Sequence, residues 1–190
     1  MGYDFGRYAE ALRFALEVHG KMTRKGTDIP YITHPVAVSA ELARHGQAED
    51  LVIAGLLHDT IEDGGVTRAE IERLFGRRVA ELVAGVTEEK ERGGERVPWR
   101  VRKEQQLAHL LVADRDVLTL KAADTLHNIR SILEDLRLRG DAIWERFRAG
   151  REEQVWYYTS VAKGIVDRLG AEGLAGELAR AAGELASAQD

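Results

Sequence analysis

The sequence predicts an all-α, single-domain helical bundle, and three observations carry that expectation. Alanine, leucine, glutamate and arginine, which favour helices, are abundant. Apolar residues recur at helical spacing along most of the chain, whereas alternating β-branched runs are scarce. No internal repeat is evident, which points to a bundle around one core. At 190 residues and 44% hydrophobic content, the chain is long enough to build that core. The domain is expected to fill 1–190, with a core over about 5–169 and a C-terminal helix in 171–190.

The elements follow in order. Phe5, Tyr8, Leu12, Ala15, Leu16 and His19 fall on one helical face, and the basic turn Lys21 to Gly26 follows them. A second helix is expected to begin at His34-Pro35, where the missing proline N–H has no helical partner to lose, and to stop at Gly46. The third, about Asp50 to Glu62, is apolar nearly all round until His58 and should be the most buried, with Gly64-Gly65 as its end. Thr67 and Glu70 read as a capping box for a short helix to Phe75-Gly76. Val79 to Val86 continues the helical pattern. Glu88 to Pro98 is charged, contains Gly93-Gly94 and lacks periodicity, so a mobile loop is expected there. Further helices are expected at Trp99 to Val112, Val117 to Arg139, about Asp141 to Leu169, and Ala171 to Ala188.

Composition removes several function classes. Cysteine is absent, so disulfides and thiolate metal sites are excluded, and any metal must be held by nitrogen and oxygen. A net charge of -5 argues against duplex nucleic acid as a partner but leaves room for a small anionic ligand. Nothing resembles a signal peptide or a membrane-spanning apolar run, so a soluble, cytoplasmic protein with no membrane partner is expected. Apolar surface on the C-terminal helices could support a homodimer.

The most informative feature is His58-Asp59-Thr-Ile-Glu62-Asp63, four titratable groups in six residues of an otherwise apolar segment. Buried ionisable groups need a partner or a cation. His34, His58, Asp59 and Asp124 come from three predicted helices, and a bundle interior could gather them around one ion. Two imidazoles with two carboxylates suit Mn²⁺, Fe²⁺, Ni²⁺ or Zn²⁺ better than Ca²⁺ or Mg²⁺. A lone helical histidine is more often core or surface than ligand, and His19, His45, His109 and His127 are read that way.

Glu62 follows His58 by four residues and Asp63 follows Asp59 by four, so both acids should lie one turn beyond the ligands and face the same cavity. A carboxylate there could orient water or pass a proton. Lys121 and Asn128 share or border the helix face of Asp124 and could bind substrate polar groups. Arg24 and Lys25, and Arg100, Arg102 and Lys103, could clamp phosphates, although charge runs more often form solvated faces. Trp156, Tyr157 and Tyr158 are read as core or wall, with a stacked base as the alternative.

These residues resemble the HD-type hydrolase domain of the RelA/SpoT enzymes, in particular its stand-alone small alarmone hydrolases. The resemblance runs from about Phe5 to Leu136. It is carried by Arg24-Lys25-Gly26 with Tyr31-Ile-Thr-His34-Pro35, by Leu56-Leu-His58-Asp59-Thr-Ile-Glu62-Asp63, by Phe75-Gly76 with Val79, and by Lys121-Ala-Ala-Asp124-Thr-Leu-His127-Asn128-Ile-Arg130. It implies a Mn²⁺ site with His34, His58, Asp59 and Asp124 as ligands, Glu62 and Asp63 as catalytic acids, and Arg24, Lys25 and Asn128 as substrate contacts. The implied reaction removes pyrophosphate from the 3′ position of (p)ppGpp, and no synthetase domain is expected. The chain departs from the family's frequent Leu-Ala-Asp-Arg in having Ala-Ala-Asp124-Thr125, which removes a basic group. An adenosine alarmone, (p)ppApp, NADPH or another nucleotide is therefore the alternative substrate, and a non-catalytic nucleotide sensor is the alternative of a different class.

Overall fold

The structure is a computed structural model and describes residues 4–188. Among these residues it is all-α apart from one small hairpin and an isolated antiparallel bridge between Thr23 and Pro30, as the composition predicts. The chain divides into two compact units after Lys90. No helix among the described residues is long and apolar enough to cross a membrane.

The first unit holds α1 (Phe5–His19), α2 (Thr33–Arg44), α3 (Glu49–Leu57), α4 (Thr60–Gly64), α5 (Arg68–Phe75) and α6 (Arg77–Val86). Asp4 caps α1 by accepting from the N–H groups of Gly6 and Arg7. Thr67 caps α5 by accepting from the Glu70 N–H, as its sequence motif predicts. Pro35 is the third residue of α2, still within the first turn, where its missing N–H costs nothing. At the centre lies α3, packed on α1, α2 and α6, with Leu51, Val52, Ile53, Ala54, Leu56 and Leu57 all buried.

Close approach of α2 and α3 depends on Gly55. A Cβ placed there would lie 2.9 Å from both the Ser39 Cα and the Leu42 Cδ1. The Ser39 hydroxyl meanwhile donates to the Val52 carbonyl at 2.9 Å, which ties the two backbones together. Gly55→Ala is therefore expected to force the helices apart and lower stability by about 1–3 kcal/mol, as overpacking does. Urea denaturation of the metal-free variant measures the loss.

The second unit holds a β1 (Glu91–Arg92) and β2 (Glu95–Arg96) hairpin, then α7 (Trp99–Leu110), α8 (Arg115–Arg139), a 3-10 segment at Gly140–Arg146, α9 (Gly150–Leu169) and α10 (Gly173–Ser187). Asp114 caps α8 by accepting from the Val117 N–H at 2.8 Å. In α10, Leu174, Leu178 and Leu185 are buried, and the helix packs on α8 and α9. This helix lies inside the span 171–190 named in the sequence, of which residues 189 and 190 lie outside the described residues.

Three departures from the sequence reading are larger than a shift of one or two residues at a helix end. The loop expected over Glu88 to Pro98 contains an antiparallel hairpin pairing Glu91 with Arg96 and Arg92 with Glu95. Gly93 and Gly94 both adopt positive φ, 61° and 83°, which a two-residue hairpin turn requires. The expected helix from Asp141 to Leu169 is broken, because Gly150 takes φ 69° and α9 starts only there. The third departure, the division of the expected Asp50 to Glu62 helix into α3 and α4, shapes the candidate site.

Candidate metal centre and acid pair

In the first unit, α3 ends at Leu57 and α4 starts at Thr60, so His58 and Asp59 form the joint between two helices rather than part of one. Asp59 has φ -99° and ψ 0°, at the edge of the right-handed helical region. Side chains compensate the interrupted ladder: the Thr60 hydroxyl donates to the Leu57 carbonyl at 2.7 Å, and His58 Nδ1 lies 2.9 Å from the Gly55 carbonyl. Neighbouring residues in a continuous helix point about 100° apart. At the joint the two side chains converge, with His58 Nε2 3.0 Å from Asp59 Oδ2.

His34 enters from the first turn of α2 and is buried with His58. Its Nε2 lies 3.1 Å from His58 Nε2 and 3.6 Å from Asp59 Oδ2. These three donors form a compact cluster able to hold a metal ion. A carbonyl cannot donate, so His58 Nδ1 carries the hydrogen toward Gly55, and in a neutral ring the Nε2 lone pair then faces His34. Donor separations of 3.0–3.6 Å also match ligands placed about 2.0–2.2 Å from one common centre. The donor set therefore fits a divalent ion of the borderline class.

The split also relocates the acids. Glu62 and Asp63 do not trail at the end of one long helix but sit in the single turn of α4. Glu62 Oε2 accepts from the Glu88 N–H at 3.2 Å, and Lys90 Nζ lies 3.2 Å from Glu62 Oε1 while also pairing with Asp63 Oδ1. Burial, and then the Asp59 charge, push the Glu62 carboxyl above its ordinary range, with Lys90 partly opposing. Burial works against the Lys90 charge, but its hydrogen bond to Asp63 and the field of Glu62 outweigh burial and raise its pKa.

A raised carboxyl pKa means the folded chain holds a proton that the unfolded chain has released. In metal-free protein, the Glu62 contribution to stability is thus present at low pH and is lost as pH rises from the ordinary carboxylate range through its raised value. Glu62→Gln is expected to flatten that loss. Urea melts across the pH range, compared between wild type and variant, check the sign.

Two residues of this site escaped the sequence reading. Lys90 lies in a run without periodicity, so spacing gave no sign that it would meet Glu62 and Asp63. Tyr31 donates its hydroxyl to Asp59 Oδ2 at 2.5 Å. Its place three residues before His34 was visible, but its target was not. Burial and then the Asp59 charge raise the Tyr31 pKa far above that of an ordinary phenol. Arg24 and Lys25, the expected phosphate contacts, lie in the loop between α1 and α2, next to Gly26 at φ 72°. The loop is closed by Arg24 N–H to the Ile29 carbonyl at 2.8 Å and Tyr31 N–H to the Met22 carbonyl at 2.9 Å.

Within the second unit, Asp124 is buried in α8. Lys121 Nζ donates to its Oδ2 at 2.9 Å and Asn128 Nδ2 to its Oδ1 at 2.7 Å, so the three polar residues singled out on this helix share one face. Arg100 pairs with Glu104 and Glu153, both at 2.9 Å, and lies over the Trp156 ring. Lys103 Nζ sits 4.5 Å from the Tyr157 ring centroid. In this structure Arg100 and Lys103 thus fasten α7 to α9, and Tyr157 is buried as a packing residue.

A helical chain with a His-Asp joint facing a second histidine defines a class. The HD domain family matches residues 11–155, and the chain belongs to that family. Among curated relatives, it is 36% identical over 126 residues to the guanosine-3′,5′-bis(diphosphate) 3′-pyrophosphohydrolase MESH1 of Danio rerio, covering 65% of this chain and 67% of that protein. It is 39% identical over 125 residues to the guanosine-3′,5′-bis(diphosphate) 3′-pyrophosphohydrolase of Aquifex aeolicus, covering 64% of this chain. The match spans only 17% of that longer protein. A solved metazoan ortholog of SpoT that hydrolyses ppGpp superposes with a TM-score of 0.77 at 26% identity, over 97% of this chain and 96% of that one. The crystal structure of lmo0812 from Listeria monocytogenes EGD-e gives 0.72 at 32% identity, over 84% and 99%. The resemblance to the RelA/SpoT hydrolases is thereby borne out.

Proposed function

We propose that this protein is a Mn²⁺-dependent hydrolase that removes the 3′-pyrophosphate of (p)ppGpp, giving GDP or GTP. The observation that carries the proposal is the cluster of buried His34 and His58 with half-buried Asp59, and Glu62 and Asp63 one turn beyond it, in a chain related to proteins bearing that activity. His34, His58 and Asp59 would hold the ion. Asp124 is assigned as the fourth ligand from its motif and its buried carboxylate. When bound, a divalent ion polarises phosphoryl oxygens and lowers the pKa of water.

The remaining steps belong to side chains. Water adds to the phosphorus bonded to the 3′ oxygen, that P–O bond breaks, and pyrophosphate leaves as the 3′ oxygen takes up a proton. Glu62 and Asp63 act as the catalytic acids, orienting the water through a carboxylate oxygen and handing a proton to the departing 3′ oxygen. Arg24 and Lys25 hold the polyphosphate from the loop before α2, with guanidinium and ammonium groups that suit phosphate oxygens. Asn128 and Lys121 are assigned to the substrate's polar groups, and Arg100 and Lys103, beside their ties between α7 and α9, to more distant phosphate charge.

The Ala-Ala-Asp124-Thr125 sequence, lacking the frequent arginine, favours testing base choice directly. Incubating the Mn²⁺-loaded chain with ppGpp, ppApp and NADPH, and resolving products by anion exchange, separates the readings. GDP with pyrophosphate from ppGpp supports the proposal. Turnover of ppApp or NADPH alone would keep the site and change the substrate, and orthophosphate as the product would show cleavage of a different bond. Nucleotide binding without turnover of any of the three would leave a sensor.

A further inference from the structure

We propose that Tyr31 is a positioning residue that sets the affinity of the metal centre, an inference that rests on the metal reading above. The Tyr31 hydroxyl donates at 2.5 Å to Asp59 Oδ2, the same oxygen that faces His58 Nε2 at 3.0 Å and His34 Nε2 at 3.6 Å. A carboxylate oxygen offers two acceptor directions, so one can serve the tyrosine while the other faces the imidazoles. With one direction committed, the carboxylate has little freedom to rotate away. The same hydroxyl lies 3.5 Å from Asp63 Oδ2.

The main chain of Tyr31 also serves the site. Its carbonyl accepts from the His34 N–H at 2.9 Å, within the entry to α2, and its own N–H is held by Met22. One residue therefore anchors two of the three donors, His34 through its backbone and Asp59 through its side chain. The ring is fixed in turn. It packs on His19 at 5.1 Å and on His34 at 5.9 Å between centroids, and His19 is itself buried. Arg24 lies with its guanidinium carbon 5.8 Å from the ring centroid, so the phosphate loop and the metal donors meet at this tyrosine.

Partners that orient a metal ligand from behind typically change affinity by about 10–100-fold when removed. Tyr31→Phe deletes the hydroxyl and keeps the ring against both histidines. Calorimetric titration of Mn²⁺ into the metal-stripped full chain is expected to show a loss of that size, with the melting midpoint of the metal-free variant unchanged. Wild-type affinity in Tyr31→Phe would overturn the proposal while leaving the metal reading intact. Weaker binding accompanied by an equally weakened metal-free fold would also overturn it, since the hydroxyl would then be structural. A wild-type chain that takes up no divalent ion would overturn both.

Discussion

Asp59→Ala is expected to yield a folded chain that retains no stoichiometric divalent ion and has no turnover above background. Asp59 supplies the anionic oxygen of the cluster, within 3.6 Å of both histidine nitrogens. Without it, the two imidazoles and the proposed Asp124 ligand remain, a set one carboxylate short of the charge that offsets dehydration of a dication. Asp59 lies at the joint after α3, outside the apolar core that Ile53, Leu56 and Leu57 build, so the fold should persist. Metal analysis after gel filtration measures the first effect and pyrophosphate release the second. Retention of one ion per chain would remove Asp59 from the ligand set.

Glu62→Gln is expected to separate metal binding from chemistry. Glutamine keeps the shape and an acceptor for the Glu88 N–H, but it neither transfers a proton nor pairs ionically with Lys90. Proton transfer by a positioned side chain contributes about 10²–10⁴-fold, and kcat should fall within that range while Mn²⁺ affinity and KM change little. Full activity in the purified variant would contradict the role assigned to Glu62. An equal loss of metal would instead make it a ligand.

The pattern of residues made the helical class and most helix positions legible. Phe5 to His19 carried its spacing, α3 its nearly unbroken apolar run, and Thr67 with Glu70 its cap, because each of these signals is local. The joint after Leu57 was not legible. Leu-Leu-His-Asp-Thr-Ile-Glu is compatible with a continuous helix, and the break is seen only with the side-chain bonds from His58 and Thr60 to the preceding carbonyls and the Tyr31 bond to Asp59. That break changes the site. It lets adjacent residues face one point and places Glu62 and Asp63 in the single turn of α4. The hairpin did leave a trace in Gly93-Gly94, but strands of two residues are too short to alternate. Lys90 and Tyr31 were hidden for one reason: each is defined by what it meets across the fold.

The most direct test of the metal-dependent assignment is a titration of Mn²⁺ into metal-stripped protein in the presence of ppGpp, following bound metal and released pyrophosphate together. No pyrophosphate release is expected before metal addition, and release should then rise in step with occupancy and saturate at one ion per chain, with GDP as the other product. Pyrophosphate release at full rate from the metal-free chain, or saturated metal binding with ppGpp left intact, would contradict it.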